Sequence, residues 1–387
     1  MPWATRNNLR LGALRLAARA LSRYVNSSVA DPRRVLLLRP DHVGDVLLSA
    51  PAVALLRQSL PRAELTYLVG PWSEEAARHG PSVDRLETLD FPGFTRRAKA
   101  NVVEPYFVLA QAARQLRAGA YDMAVVLRPD HWWGALMALA AGIPLRVGTR
   151  LPETTGLLTH AREPQPHEHA AQQTVAVARL ALAAVGRESA AIDDPVQFVV
   201  SEGARAEAEC LWRQAGLEGK AVIAIHPSAG APLKSWPIGN WARLAYELID
   251  DRVAVVLVGA PSDASLLSGI AARVPKHVTI ACGQSLSVSA AMYARSKLVI
   301  SVDSGAGHLA AAVGTPTVRL YGPAPPEVFG PWPPRADQRV LITNSLSCAP
   351  CGHLEAPPCG ATAQPACMLA LNVDAVLKAV RLSFDQG

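Results

Sequence analysis

One stretch, from Lys297 to Tyr321, constrains the fold of this chain more than any other. It reads KLVISVDSGAGHLAAAVGTPTVRLY. The β-branched run over 298–302 predicts a buried parallel strand that stops at a glycine turn. A helix of small residues over 309–313, a Gly-Thr-Pro turn and a second strand over 317–321 follow. The stretch therefore predicts a strand–helix–strand unit of a parallel sheet.

The glycine turn in this stretch predicts a phosphate site. Gly305, Ala306 and Gly307 present backbone N–H groups where a helix begins, and the helix dipole favours an anion there. The turn also fits the G-x-G-x-x-A dinucleotide fingerprint, which needs an acid at the end of the next strand. That strand instead runs into Tyr321, so we expect a nucleotide diphosphate here and not NAD.

Strands and helices alternate through both halves of the 387-residue chain, which is long enough for two domains. In each half, apolar runs of strand length end in loops that contain Gly, Ser, Pro or Asp. We predict an α/β fold of two doubly wound Rossmann-like domains, spanning 31–194 and 195–345, whose loops face each other across a cleft. Residues 1–30 predict a basic amphipathic helix, and residues 346–387 predict a cysteine-rich tail with a C-terminal helix.

Charge and hydropathy narrow the classes of partner. The net charge of +6 is spread along the chain without the basic-aromatic motifs of RNA-binding strands, so we expect no nucleic-acid partner. The uncharged, largely apolar run over 132–145 is too short to cross a membrane. Arginines interrupt the apolar runs at the N-terminus, which argues against a secretory signal peptide. We therefore expect a cytoplasmic protein.

The N-terminal helix is a candidate for membrane contact. Residues 1–30 contain five arginines and no acid. Such helices lie on anionic membranes, so the pattern predicts peripheral attachment to a membrane surface. The alternative is a solvated helix that packs loosely on the first domain.

Several loops of the second half carry residues suited to a nucleotide. Ser228 and Gly230 form a second small-residue turn, and Lys234 offers a point charge for a diphosphate. Asp263, at a strand end, is placed to bind ribose hydroxyls. Gln284 follows the next short strand, and we include it in the same donor-binding set.

In the first half, Asp45 lies in the first turn of the helix that follows the first strand. By itself this position indicates either a catalytic carboxylate at the functional edge of the sheet or a helix-start acid that the helix dipole favours.

Four segments together carry a resemblance to a known family. They read RPDHVGDVLLSAPAVALLRQSLP (39–61), HPSAGAPLKSWP (226–237), GAPSD (259–263) and SVDSGAGHLAAAVGTPTVRLYGP (301–323). In this order they resemble the ADP-heptose:lipopolysaccharide heptosyltransferases, which form glycosyltransferase family 9 and have the GT-B fold. The joint presence of the Gly-Asp, Lys-x-Trp-Pro and Asp-Ser-Gly-x-x-His turns is specific, whereas any one of them alone is not.

The resemblance implies an inverting transfer of heptose from ADP-heptose to a lipid-linked, phosphorylated saccharide such as a lipopolysaccharide core. By motif, Asp45 resembles the general base that takes the proton of the acceptor hydroxyl, and Lys234 resembles the lysine that steadies the donor phosphates. Asp303 and His308 resemble the pair near the donor sugar. Asp263 stands where the family commonly has a glutamate, so this chain departs from the pattern at the ribose.

The remaining assignments follow from the same resemblance. Ser304, Gly305 and Ala306 resemble the backbone cradle of the donor, and Arg39 and His42 resemble acceptor-binding residues. Inversion needs a base on one face of the sugar and stabilisation of the leaving group on the other, and these residues supply both. The chain has no Asp-x-Asp pair, so we expect no catalytic divalent metal.

Other functions stay open from the sequence. The enzyme could use another nucleotide sugar or a protein acceptor, or the chain could bind a nucleotide sugar without catalysis. A non-hydrolysing sugar-nucleotide epimerase shares the fold, but it would need more acids in the loops than this chain has.

Four cysteines cluster near the C-terminus as C-x2-C-x7-C-x7-C: Cys348, Cys351, Cys359 and Cys367. This spacing predicts a structural tetrathiolate site, with zinc ahead of iron. The alternatives are four reduced thiols or a pair of disulfides.

Residues 151–170 are polar and rich in proline, without periodicity, and predict a mobile loop. The loop contains His160, His167, Glu168 and His169. We expect solvated histidines there, and a metal site is the alternative.

Overall fold

The computed structural model describes residues 11–12, 14–16, 18–21, 29–95, 101, 103–189, 196–343 and 345–384. The chain forms two compact units, Met1–Asp194 and Pro195–Gly387, which we call the first and second units. Each unit has a six-stranded sheet in which all strand pairs are parallel. The predicted α/β class of two doubly wound folds is therefore confirmed.

The sheet of the first unit has the strand order β3-β2-β1-β4-β5-β6. Its strands are β1 (Arg34–Arg39), β2 (Glu64–Val69), β3 (Arg85–Thr88), β4 (Met123–Val126), β5 (Leu145–Thr149) and β6 (His160–Arg162). The helices are Val43–Leu48, Ala50–Ser59, Glu74–Arg78, Glu104–Ala118, Trp132–Ala140 and Ala170–Ala183, with a 3-10 turn at Pro71–Ser73. The central strands β1 and β4 are almost wholly buried because helices cover both faces of a parallel sheet.

Two features of this unit differ from the sequence prediction. The helix expected after β1 is divided at Ser49 into Val43–Leu48 and Ala50–Ser59. Pro51 has no N–H to bond to Leu47 O and so cannot continue the first helix. Ser49 Oγ donates to Val46 O at 2.7 Å at the end of that helix.

The second difference concerns residues 151–170, which the sequence predicts to be a mobile loop without regular structure. Part of this segment forms β6, which pairs with β5. Thr154 is buried, and its Oγ1 donates to Thr149 O at 2.8 Å. His169 Nδ1 accepts from Ala171 N at 3.1 Å and so begins the next helix. Local polar contacts, which have no sequence periodicity, order this segment.

The predicted N-terminal helix is described only in part. Residues 11–12, 14–16 and 18–21 are helical, whereas Arg6, Arg10 and Arg23 lie outside the described residues. Leu14 and Ala18 are buried in the apolar core of the first unit. One side of this helix is therefore packed on the protein.

The sheet of the second unit has the order β12-β11-β10-β7-β8-β9. Its strands are β7 (Ala221–His226), β8 (Val253–Gly259), β9 (Thr279–Cys282), β10 (Leu298–Val302), β11 (Thr317–Tyr321) and β12 (Gln338–Ile342). The helices are Glu202–Gln214, Ile238–Leu248, Ala264–Ala271, Leu286–Arg295, Gly305–Ala312, Pro326–Phe329, Ala366–Leu369 and Val373–Phe384, with 3-10 turns at Pro232–Lys234 and Pro261–Asp263. The C-terminal helix contributes Val376 and Val380 to the core of this unit.

Candidate active site

The loops after β1 and β4 meet at the point where the strand order of the first sheet reverses. From β1 the chain proceeds to β2 and β3 on one side, and from β4 to β5 and β6 on the other. In such sheets ligands bind at the carboxyl ends of the strands beside this reversal. Asp45 lies here, in the first turn of helix Val43–Leu48.

A buried arginine holds the candidate base Asp45. The Arg39 side chain is only 4% exposed, and its Nη2 lies 3.5 Å from Asp45 Oδ1. Its Nη1 donates to Leu127 O at 2.8 Å, and its Nε lies 2.9 Å from Asp41 Oδ2. Asp45 itself is 35% exposed. The carboxylate is thus fixed on its protein side and accessible to solvent.

Asp41, which was not predicted as a site residue, is the centre of this charged network. Its buried carboxylate forms ion pairs with Arg39 and with Arg128. Its backbone oxygen accepts bonds from Trp72 Nε1 and Ser73 Oγ, both at 3.0 Å. Asp41 is therefore a structural anion, whereas Asp45 is the accessible one.

A repeated tetrapeptide in the sequence could have revealed this network. Arg-Pro-Asp-His occurs at 39–42, at the end of β1, and again at 128–131, immediately after β4. These strands are neighbours in the sheet, so both copies come to the same edge. In the second copy Arg128 Nη2 donates to Asp130 Oδ2 at 3.0 Å.

The two histidines of this repeat have opposite environments. His42 is exposed, and its ring centroid lies 5.6 Å from that of Trp72. His131 is buried against the rings of Phe91 and Trp133, and this burial lowers its pKa to about 4. Only His42 is therefore accessible to a ligand.

The second sheet reverses its strand order between β7 and β10, and the predicted donor residues gather at this edge. Lys234 lies in the 3-10 turn that follows β7, and Asp303 follows β10 directly. Their side chains form an ion pair, with 2.6 Å between Lys234 Nζ and Asp303 Oδ2. Asp303 is buried, and Lys234 is half-buried.

The predicted phosphate turn begins a helix at its first glycine. Helix Gly305–Ala312 starts four residues earlier than the sequence indicated, so the N–H groups of Gly305, Ala306 and Gly307 lie in its first turn. Ser304 has extended backbone, with φ −154° and ψ 166°, and precedes this helix. Its Oγ is buried without a hydrogen-bond partner among the described residues. The turn therefore offers several donors to an anion.

Asp263 is already engaged within the protein. One carboxylate oxygen, Oδ2, accepts from Ser228 Oγ and from Ala260 N, both at 2.8 Å. Ser228 Oγ is also 3.2 Å from His226 Nε2, and burial lowers the pKa of His226. These contacts bring the loops after β7 and β8 together.

Gly230 and Gln284 complete the predicted donor set. A Cβ built at Gly230 would meet no atom within 4 Å, so crowding does not require glycine there. Gln284 is half-buried in the loop after β9.

His308 contacts a residue that the sequence analysis did not single out. Arg319, in the middle of β11, is fully buried, and its Nη1 lies 3.3 Å from His308 Nδ1. The only indication in the sequence is an arginine within an otherwise apolar parallel strand.

The four clustered cysteines line one small cavity together with Leu233 and Pro323. Cys367 is the buried member, and burial raises the pKa of its thiol. Within the described residues, no three His, Cys, Asp or Glu side chains form a group that could hold a metal ion as arranged. No helix among the described residues is long and apolar enough to span a bilayer.

Comparison with known proteins identifies the family of this chain. The family model of glycosyltransferase family 9 (heptosyltransferase) matches residues 109–357. This chain belongs to glycosyltransferase family 9. It is 29% identical over 324 residues to lipopolysaccharide heptosyltransferase 2 of Escherichia coli K12, which covers 80% of this chain and 89% of that relative. The resemblance inferred from the four sequence segments is thereby confirmed, and the chain is a glycosyltransferase.

Two solved structures share the fold. A family 9 glycosyltransferase from Veillonella parvula matches with a TM-score of 0.74 and 22% identity, covering 94% of this chain and all of that one. The E. coli ADP-heptose lipopolysaccharide heptosyltransferase II matches with a TM-score of 0.70 and 24% identity, covering 91% and 99%. The GT-B class expected from the sequence is confirmed.

Proposed function

We propose that this glycosyltransferase moves a heptose, with inversion, from ADP-heptose to a hydroxyl of a lipopolysaccharide core. The observation that carries the proposal is the accessible Asp45 carboxylate, held by buried Arg39 in a family 9 chain. The names of the relatives support the choice of donor and acceptor.

Each step of the reaction has a residue suited to it. Asp45 takes the proton of the acceptor hydroxyl, whose oxygen bonds to the anomeric carbon as the bond from that carbon to the β-phosphate oxygen breaks. ADP leaves with the bonding electrons, and Lys234 with the N–H groups of Ser304, Gly305 and Ala306 stabilises its charge. Asp303 orients Lys234 through their ion pair. We infer that this step needs no divalent metal.

The acceptor side is assigned from exposure. His42 is exposed and can contact the acceptor, as the resemblance suggested. The Arg39 guanidinium is buried, donates a hydrogen bond to Leu127 O and forms ion pairs with Asp41 and Asp45, which favours a role in orienting Asp45 over direct contact with the acceptor.

The proposal is tested by incubating the protein with ADP-heptose and, in parallel, with ADP-glucose, UDP-glucose and GDP-mannose. Release of nucleoside diphosphate is followed with and without core lipid, with EDTA present in a matched set. We expect release only with ADP-heptose plus acceptor, unaffected by EDTA. Turnover with another donor, or with a protein acceptor, would replace the proposal by the alternative within the same class. Nucleotide binding without any turnover would support a non-catalytic binder.

We further propose that Cys348, Cys351, Cys359 and Cys367 bind one structural zinc or iron ion. The support is that four thiols line a single cavity, because thiolates are preferred ligands of both metals. Elemental analysis should find one metal per chain in the purified protein and a loss in Cys351→Ser. Cys210→Ser, at an exposed and isolated thiol, is the control. Absence of stoichiometric zinc and iron from the unmodified protein would contradict the proposal.

Peripheral attachment to the cytoplasmic face of the inner membrane is a third proposal. The N-terminal helix packs on the first unit with one side only. On its other side Leu16 is 68% exposed, and the neighbouring Arg15 and Arg19 are exposed as well. Exposed cations near an apolar side chain favour anionic lipid.

Co-sedimentation with phosphatidylglycerol and with phosphatidylcholine vesicles tests this attachment. Arg15→Glu with Arg19→Glu should weaken binding to the anionic vesicles only. Arg205→Glu with Arg213→Glu, the same charge change on an exposed helix of the second unit, should leave it intact. Equal loss in both pairs would indicate an effect of net charge and not of this helix.

A further inference from the structure

We propose that Arg319 is a positioning residue of the donor site, which fixes the proton of His308 on Nε2 and places a positive charge beneath the phosphate turn. The inference rests on the proposed function, because it assumes that the turn binds the diphosphate of the donor. It adds a residue that takes no part in the mechanism above.

Arg319 lies directly under the first turn of helix Gly305–Ala312. It is opposite Ser301 in the pairing of β10 with β11, and it is fully buried. A Cβ built at Gly307 would be 2.9 Å from Arg319 Nε and 3.0 Å from its Cδ. The arginine side chain therefore occupies the space beneath Gly307, and only glycine leaves room for it.

The hydrogen-bond partners of Arg319 are neutral groups. Its Nε donates to Thr317 Oγ1 at 3.1 Å, and its Nη2 donates to Gln338 Oε1 at 3.1 Å. Gln338 is oriented by a bond from its Nε2 to Thr315 O at 3.0 Å. Among the described residues no ion pair involves Arg319. The ionisable side chains that act on it are Tyr321, two positions along the same strand, and Asp303, which is itself paired with Lys234.

The bond to His308 determines the tautomer of that histidine. Arginine N–H groups can only donate, and the guanidinium stays charged in proteins. His308 Nδ1, at 3.3 Å from Arg319 Nη1, must therefore accept, which requires that it carries no proton. The ring proton is then on Nε2, and the ring is neutral because an imidazolium would place a second N–H against the guanidinium. In this tautomer Nε2–H is the hydrogen-bond donor of the His308 ring.

The charge of Arg319 is poorly compensated until an anion arrives. Burial lowers the pKa of Arg319, which means that the folded protein disfavours this charge. A diphosphate at the turn would supply the missing negative charge, acting together with the helix dipole and Lys234. The competing explanation is a structural role, in which Arg319 only ties β11 to Gln338 and Thr317.

Two variants separate these explanations. Arg319→Met keeps an unbranched side chain that fills part of the same space, and it removes the charge and every N–H. Thr317→Val removes a neutral partner of Arg319 while leaving its contact with His308. A purely structural role predicts similar effects of both changes. If Arg319→Met does not fold, Arg319→Lys, which keeps the charge, replaces it in the measurements.

The first measurement is the side-chain nitrogen spectrum of the nucleotide-free full chain, labelled with ¹⁵N-histidine and assigned with His308→Gln. We expect His308 to remain a neutral Nε2–H tautomer from about pH 5.5 to pH 8 in the unmodified protein and in Thr317→Val. In Arg319→Met it should populate both tautomers or become charged in this range. A charged or Nδ1–H His308 in the unmodified protein near neutral pH would overturn the proposal.

The second measurement is calorimetric binding of ADP. We expect binding about tenfold weaker in Arg319→Met and within about twofold of the unmodified value in Thr317→Val. Unchanged ADP affinity in folded Arg319→Met would overturn the proposal that the charge of Arg319 contributes to nucleotide binding. If no protein binds ADP, the proposed function fails, whereas the histidine spectra still decide the role of Arg319 at His308.

Discussion

The sheet edges that carry the candidate residues of the two units differ in their polar contacts. At the edge of the first unit, ion pairs link Arg39, Asp41, Asp45 and Arg128 into one network. At the edge of the second unit, a single ion pair between Lys234 and Asp303 stands beside a helix start formed by small residues.

This difference corresponds to what each edge must do. A general base needs one carboxylate in one place, and a network of opposite charges holds Asp45 on its protein side while leaving it accessible. A diphosphate site needs unoccupied donors and uncompensated positive charge, so its own polar groups must not be fully satisfied. Four predictions test whether the division is real.

The largest expected effect is on catalysis at the first edge. Asp45→Ala should lower the transfer rate on the order of a thousandfold, because it removes the carboxylate assigned to take the acceptor proton. ADP affinity should stay unchanged, since the nucleotide is assigned to the second unit. Transfer assays and ADP calorimetry measure the two quantities, with the exposed Asp251→Asn as control. Near-normal turnover would remove Asp45 as the base.

The second prediction concerns stability at the same edge. Asp41→Asn leaves buried Arg39 without its main counter-charge and should cost about 3 kcal/mol of unfolding free energy. Urea unfolding followed by circular dichroism measures the loss. Asp31→Asn breaks an exposed pair with Arg33 and should cost less than about 1 kcal/mol. Equal losses of unfolding free energy in the two variants would mean that the buried ion pairs stabilise the protein no more than the exposed pair does.

The third prediction tests crowding at the second edge. In Gly307→Ala the new methyl group meets Arg319 Nε and Ser301 Oγ, both at 2.9 Å, so the variant should lose about 2 kcal/mol of stability. Gly203→Ala, in helix Glu202–Gln214 with no atom within 4 Å, should instead gain up to about 1 kcal/mol. Thermal unfolding of the pair gives both values. A stabilised Gly307→Ala would show that the space beneath the turn adapts.

The smallest expected effect is a pH dependence of the unfolding free energy that arises from His131 in the first unit. His131 has a pKa of about 4 when folded and about 6.5 when unfolded, so below about pH 6.5 the unfolded state binds more protons. Its contribution is complete above that pH and is lost as the pH falls towards 4.

Between about pH 7 and pH 5 this loss should be between one and two kcal/mol of unfolding free energy. Over the same pH interval, His131→Leu should lose less unfolding free energy than the unmodified protein, by that same amount. Urea unfolding at pH 7 and at pH 5 measures the difference. His42→Leu, at the exposed histidine of the repeat, is the control and should follow the unmodified protein. Identical pH dependence in all three proteins would contradict the assignment to His131.

Apolar runs and glycine turns made the fold predictable. The β-branched runs around Val299 and Val256 indicated buried parallel strands, and the structure places both among the inner strands of the second sheet. The break at Ser49 was predictable in principle from Pro51. The order of 151–170 was not, because it depends on side-chain contacts such as that of Thr154 with Thr149 O.

The residues of the candidate site could be predicted from their sequence motifs, but the residues that they contact could not. Asp45, Lys234 and Asp303 stand in turns that a sequence comparison recognises, and the roles assigned to them stay predictions. Asp41 and Asp45 are only four positions apart in the same turn, and no local pattern tells which is buried. That distinction comes from Arg128, which is 87 residues away in sequence and reaches Asp41 only through the pairing of β1 with β4.

The close approach of Gly307 and Arg319 links two positions that are 12 residues apart in sequence, and it bears on how this family can vary. With a long side chain at 319, position 307 has no room for a Cβ. With a short side chain at 319, the space beneath the helix opens, and larger residues become acceptable at 307. Across an alignment of relatives, the two positions should therefore change together, with glycine at 307 concentrated in the chains that keep an arginine at 319.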